Sequence, residues 1–266
     1  MIKYAVNSSF INLKDFSLSL PDTFNHIGKV IQDHRNVIKK ITNEHGSFVV
    51  KDYKGMYFFN RLGYSLFSLS KAQKSYRNSE FLNKHGIKTP QHIAWIDCYN
   101  YGLLQRSFFV SALQPFETFK QFLARTPIGH PQRNLLYDNF LAFIIKLHTI
   151  GIYHDDFSIT NVLVIPSENG FEFSLVDLNR MSYRKSPFRK SLQNFNKLEI
   201  PTEELYNLIS GYAKNQGQSA EEAIKMFLAD SAKAQAFRRN RRALRRYTLT
   251  PLENLVRKLR NKEPKK

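Results

Sequence analysis

The chain has 266 residues, 42 % of them hydrophobic and 14 % aromatic. That is enough length and apolar content for one large domain or two small lobes, and it excludes a disordered chain. The single cysteine, Cys98, excludes an intramolecular disulfide and fits a reducing compartment. The formal net charge of +18 is uneven: Lys233 to Lys266 carry 13 Lys/Arg against 2 Glu, and the first 232 residues only a net of +7.

The opening M-I-K-Y-A-V-N-S-S-F lacks the apolar stretch of about 7–15 residues that a signal peptide requires. No run approaches the ~20 apolar residues of a spanning helix, so a cytoplasmic chain is expected. Residues 1–24 show no clear period. Two strands are predicted at Val37–Thr42 and Ser47–Tyr53, split by the turn Asn43-Glu44-His45-Gly46. Alternation in S-F-V-V-K-D-Y sets Lys51 among apolar neighbours, as a phosphate-holding lysine or as an ordinary solvent-facing charge. The segment G-K-V-I-Q-D-H-R-N-V-I before it holds one glycine, Gly28, and lacks a glycine-rich phosphate loop.

Residues 55–70 are rich in aromatics and Leu, which reads as packing or as an apolar patch for a membrane. Lys71 to His85 reads as a helix ended by Gly86. Its one acid, Glu80, is by elimination the candidate to orient Lys51, with a solvated Glu80 as the alternative. Strands around His92–Asp97 and Leu103–Leu113 lead to a hinge at Gln114-Pro115, suited to the adenine edge of a nucleotide. Helices are predicted over Phe116–Ala124 and Asn134–Thr149. The second carries a stripe of Leu135, Leu136, Phe140, Phe143, Ile144 and Leu147.

The stretch from Ile150 to Arg180 carries the chemistry. H-D-D-F-S-I-T-N-V-L-V is followed by the turn Ser167-Glu168-Asn169-Gly170, the arm Phe171–Val176, and then D-L-N-R. Asp156 lies two residues after His154, Asn161 five further on, and Asp177 beyond the hairpin. This order matches the catalytic loop and metal-binding aspartate of protein-kinase-like phosphotransferases. In that reading Asp156 orients the attacking hydroxyl, and Asn161 and Asp177 offer oxygens to Mg2+. His154 braces the loop, and Asp155 contacts substrate or is solvated. The basic run Arg180, Arg184, Lys185, Arg189 and Lys190 is either an acceptor-binding segment or a surface loop. Helices follow at Thr202–Lys214 and Ala220–Asp230, then a tail that mixes arginines with Leu and Val as an interfacial helix does.

The motifs V-V-K-D-Y-K, S-K-A-Q-K-S-Y, G-I-K-T-P, H-D-D-F-S-I-T-N and V-D-L-N-R-M resemble the lipopolysaccharide kinase (Kdo/WaaP) family, most of all a branch found in Bacteroidetes, over roughly Gly28 to Ala213. The resemblance implies an α+β, two-lobed protein-kinase-like fold with a small antiparallel-sheet N-lobe (1–113), a mainly helical catalytic C-lobe (114–232) and a basic tail (233–266). It implies an ATP- and Mg2+-dependent kinase of an inner-core sugar, Kdo or heptose, at the inner face of the cytoplasmic membrane. Lys51, Asp156, Asn161 and Asp177 are its implicated residues.

Two departures stand out. Arg77 and Asn78 replace the acid expected early in the helix, and the triplet after the hairpin is Asp177-Leu178-Asn179. A kinase of proteins or other small molecules, and a non-catalytic nucleotide-binding module, are the alternatives. For the tail, an anionic membrane surface is favoured over nucleic acid.

Overall fold

A computed structural model describes residues 1–34, 36–53 and 69–248, without the side chains of Gln235 and 238–248. The aromatic stretch expected at 55–70 lies mostly outside the described residues, as does most of the basic tail. Contacts divide the chain into two units, Met1–Ser186 with Lys197–Ile200, and Pro187–Asn196 with Pro201–Lys266.

In the first unit, six strands form one antiparallel sheet: β1 (Ile2–Val6), β2 (Lys29–Asp33), β3 (Val37–Asn43), β4 (Gly46–Asp52), β5 (His92–Asn100) and β6 (Leu103–Ala112), in the order β1-β5-β6-β4-β3-β2. The β3–β4 turn falls where the sequence places it, and Asn43 pairs with Gly46. Successive side chains on a strand point to opposite faces. On β4 this sends Phe48 and Val50 into a core with Ile41, Ile96, Phe108 and Val110, and leaves Val49, Lys51 and Tyr53 lining a cleft on the other face.

The N-terminal residues, which show no clear period in sequence, add the edge strand β1 and the helix α1 (Lys14–Thr23). Leu13, Leu20 and Phe24 close the sheet core. Arg106 ties α1 to the sheet: its guanidinium donates to Pro21 O at 2.8 Å and to the buried Asp52 carboxylate at 2.8 Å, and it lies over the Phe24 and Phe108 rings. Breaking a buried pair of this kind leaves an uncompensated charge.

The helix α2 (Lys71–Lys84) starts at Ser70, whose Oγ accepts from Gln73 N, and turns Ala72, Ser75, Ser79 and Leu82 inward. Beyond β6 come α3 (Phe119–Arg125), with a Thr118–Gln121 capping box, and α4 (Pro131–Thr149). The inward stripe of α4 is Leu136, Phe140, Ile144 and Leu147, with Leu135 exposed and Arg133 buried in its place. Arg133 donates to Leu123 O and Thr126 O, the carbonyls at the end of α3.

Phe140 anchors the base of the catalytic segment. Its ring lies 4.6 Å from Phe119, 5.1 Å from Phe173 and 5.6 Å from Phe157. Gly151 then makes the turn out of α4 at φ 75°, where a Cβ would meet the Arg184 backbone at 3.1 Å. That turn delivers β7 (Ile152–His154), which pairs with β10 (Met181–Tyr183). Between them the hairpin β8 (Val162–Ser167) and β9 (Gly170–Leu175) forms as read from sequence.

The second unit is helical, with α5 (Phe188–Leu192), α6 (Thr202–Asn215) and α7 (Ala220–Thr248). Tyr212 sits between Phe188 and Phe195, at 5.9 and 5.5 Å. Arg189, left between acceptor contact and surface loop by its sequence, is held in a two-pronged pair with Asp230 at 2.7 and 2.9 Å. No described helix is long and apolar enough to cross a membrane.

Phe140→Ala removes the ring shared by Phe119, Phe157 and Phe173. It is expected to lower unfolding free energy by about 3–5 kcal/mol in chemical denaturation, whereas Leu135→Ala on the exposed face is expected to be near neutral.

Candidate active site

A cleft of about 650 Å³ in the first unit is lined by Lys51, Asp156, Asn161 and Asp177 together. Apolar side chains from β2, β3 and β4 (Ile31, Ile38 and Val49) line it with Leu163 of β8 and Val176. Gln114, at the expected hinge, also lines it, its Oε1 fixed by the Ser174 hydroxyl at 2.6 Å. The apolar residues and the hinge suit a flat ring; the four polar residues suit a charged tail.

Each polar residue is held by local bonds. His154 is 1 % exposed. Its Nδ1 accepts from Asp156 N at 3.1 Å, so Nε2 carries the proton and donates to Val176 O at 3.1 Å. Burial pushes its pKa down, which keeps the ring neutral. A neutral ring with both nitrogens engaged is a brace. Asn161 donates its side-chain N–H to Asp156 O at 2.9 Å, and its backbone O accepts from Val176 N at 2.9 Å. With its nitrogen committed, Oδ1 is the side-chain atom it can offer to a ligand of the cleft.

Asp177 has φ 58°, the left-handed region that non-glycine residues enter at a cost of about 1–2 kcal/mol. Its Oδ1 accepts from Asn179 Nδ2 at 2.5 Å and pairs with the Lys51 ammonium. Lys51, 8 % exposed, also sits over the Tyr53 ring at 5.1 Å. Tyr53 bonds Ser75 of α2 at 2.8 Å, and burial, with the Asp177 charge beside it, pushes its hydroxyl pKa far up.

Glu80 is not brought to Lys51. It accepts from Lys84 at 3.0 Å, one helical turn away, and its side chain is 44 % exposed. The reason is register: Ser75 and Ser79 hold the inward positions of α2, and Glu80 falls off that face. Asn78 makes the contact between α2 and the hairpin's far end. Its Nδ2 donates to Leu178 O at 2.5 Å and its Oδ1 accepts from Tyr183 OH at 2.8 Å. Asp155, left between substrate and solvent by its sequence, receives the Ser182 hydroxyl at 3.1 Å and is tied to β10.

Lys197 was missed from sequence altogether. Its Nζ donates to Asp156 Oδ1 at 2.7 Å and to Asp155 O at 2.9 Å, and Arg180 Nη1 reaches Asp156 Oδ2 at 3.5 Å. Burial alone would raise the Asp156 pKa. The bond and charge of Lys197, with the charge of Arg180, outweigh it and hold the carboxyl below its ordinary value. No spacing in the sequence links Lys197 to the loop 41 residues before it.

Among the described residues no cluster of three or more His, Cys, Asp or Glu is placed to hold a metal. An amide oxygen and one carboxylate facing a cleft fit a cation that takes few protein ligands and completes its shell with water and phosphate, as Mg2+ does.

No curated protein matches the chain in sequence. Among solved structures, WaaP in complex with acyl carrier protein matches at a TM-score of 0.58 and 17 % identity, covering 87 % of this chain and 97 % of that one. At that identity the likeness establishes the fold, which is protein-kinase-like. The profile of the lipopolysaccharide kinase (Kdo/WaaP) family matches residues 48–216, from within β4 past α6, and takes in Lys51, Asp156, Asn161 and Asp177. With well over half its length matched, the chain belongs to the lipopolysaccharide kinase (Kdo/WaaP) family.

Proposed function

We propose that this kinase moves the γ-phosphate of ATP, in the presence of Mg2+, to a hydroxyl of a lipopolysaccharide inner-core sugar, Kdo or heptose. The observation that carries the reading is the convergence of Lys51, Asp156, Asn161 and Asp177 on one cleft. The lobe division belongs to the same proposal, with residues 1–113 as the N-terminal lobe and 114–232 as the catalytic lobe.

Phosphoryl transfer is mostly positioning and charge neutralisation. Lys51, now paired with Asp177, turns its ammonium to the α- and β-phosphates when nucleotide enters. Asn161 Oδ1 and the Asp177 carboxylate would hold Mg2+, which when bound draws charge from the phosphate oxygens. Asp156 accepts the hydroxyl hydrogen bond and fixes the attacking oxygen in line. Arg180, with Arg184 and Lys185 after it, supplies the positive contacts that a sugar acid or phosphorylated core requires. WaaP has been seen with acyl carrier protein; for this chain, an anionic membrane surface is the favoured partner of the tail, which places the enzyme at the inner face of the cytoplasmic membrane.

Asp156→Ala and Asp177→Ala are each expected to abolish transfer to core lipopolysaccharide while keeping the circular dichroism of the parent. Retained transfer in either one would remove that residue from the chemistry. Lys51→Met is expected to lose thermal stabilisation by Mg-ATP. Glu80→Ala is expected to keep it and to cost no more than about 0.5 kcal/mol of stability, as befits an exposed i,i+4 pair. Chelation of divalent cations should remove activity, restored by Mg2+. Liposomes rich in anionic lipid should carry the full chain upward in flotation and leave behind a chain ended at residue 232; equal flotation of the two would sink the tail's assigned role.

A further inference from the structure

The loop between Asp156 and Asn161 reads Phe157-Ser158-Ile159-Thr160 and carries no positive charge. The charge at this loop arrives from elsewhere in the chain. Lys197–Ile200 belong to the first unit, although the residues on both sides belong to the second. Leu198, fully buried, anchors this four-residue return, and Lys197 is held by two bonds to the loop, one to the Asp155 backbone oxygen and one to Asp156 Oδ1.

The two oxygens of Asp156 are therefore not equivalent. Oδ1 receives a short ammonium bond of 2.7 Å; Oδ2 has Arg180 at 3.5 Å, at the edge of hydrogen-bond reach. The Asp156 backbone N–H is held by His154, and its backbone O by Asn161.

We propose that Lys197 is the positioning residue for Asp156: it engages Oδ1 and thereby presents Oδ2 to the acceptor hydroxyl. This rests on the reading of Asp156 as the acceptor-facing carboxylate. In the transfer step the acceptor oxygen forms its bond to the γ-phosphorus as the bond from that phosphorus to the β–γ bridging oxygen breaks. ADP leaves, and the hydroxyl proton passes to Asp156 Oδ2 and then to solvent. With an ammonium on Oδ1 the carboxylate is a weak base, so the proton moves late and orientation is the larger contribution. The sequence gap between the loop and its cation also means that the return segment must be docked before the loop is competent.

The test compares Lys197→Met, Lys197→Arg, Asp156→Asn and the Asp156→Asn/Lys197→Met double variant in the full-length protein. Radiolabelled ATP and chemically dephosphorylated core lipopolysaccharide are the substrates. Lys197→Met is expected to lower kcat by about 10²-fold, the scale of a misplaced reacting group, with KM for ATP and stabilisation by Mg-ATP within two-fold of the parent, on the order of 0.4 kcal/mol. Lys197→Arg is expected to recover a large part of the loss. Because Lys197 acts through Asp156, the double variant is expected to be no slower than Asp156→Asn alone.

An unchanged kcat in Lys197→Met overturns the proposal, as does a double variant slower by the product of the two single losses. If Lys197→Met melts early, Lys197→Arg carries the test: a folded arginine variant as slow as Asp156→Asn overturns it too. Failure of the underlying reading looks different, since Asp156→Asn would then be as active as the parent.

Discussion

Val176 joins the two halves of the catalytic segment through its backbone. Its N–H donates to Asn161 O, and its C=O accepts from His154 Nε2. The loop that carries Asp156 and the strand end that carries Asp177 are thus fixed to one residue. Buried backbone groups must be paired, so the two acids cannot drift apart without stranding those groups. The apolar hairpin supports this joint from below, and Phe140 supports the hairpin. The neutral, buried His154 fits the same logic, since a charged ring there would face a desolvation cost.

The charges of the cleft are arranged as two separate groups, each with one acid and at least one cation. Asp177 is met by Lys51 and Asn179, and Asp156 by Lys197 and Arg180. The phosphate tail of a nucleotide can enter by exchanging partners within each group. Electrostatic catalysis works best when the dipoles and charges are held in place beforehand, and the left-handed backbone at Asp177 shows that the fold accepts local strain to hold one of them.

Most of the frame was legible in sequence because it follows short-range rules. Alternation set Lys51 on the cleft face of β4, Ser167–Gly170 marked the hairpin turn, and the order of His154, Asp156, Asn161 and Asp177 was readable as a unit. What escaped depends on distant contacts. The edge strand β1 is largely exposed, and α1 carries Ser17 and Pro21 within its 13-20-24 apolar stripe, so neither has a clean period even though pairing with β5 holds β1 and Arg106 bonds Pro21 O of α1. Lys197 reaches Asp156 only because the chain returns to the first unit for four residues. Glu80 was chosen as the one acid on α2, and elimination by residue type cannot substitute for register.

The register of α2 has a consequence for how the cleft is held together. An acid facing Lys51 would couple the helix to the nucleotide through charge, and the coupling would depend on the lysine's position. Here α2 is joined to the far end of the hairpin by Asn78, a neutral group bonded to Leu178 O and to Tyr183 OH, while Phe81 packs on the Tyr183 ring at 4.3 Å. Neither contact uses Lys51. The lysine is left with Asp177 as its carboxylate partner and can change partners without releasing the helix. In this chain, the Asn78 and Phe81 contacts that place the helix and the ion pair of Lys51 are made by different residues.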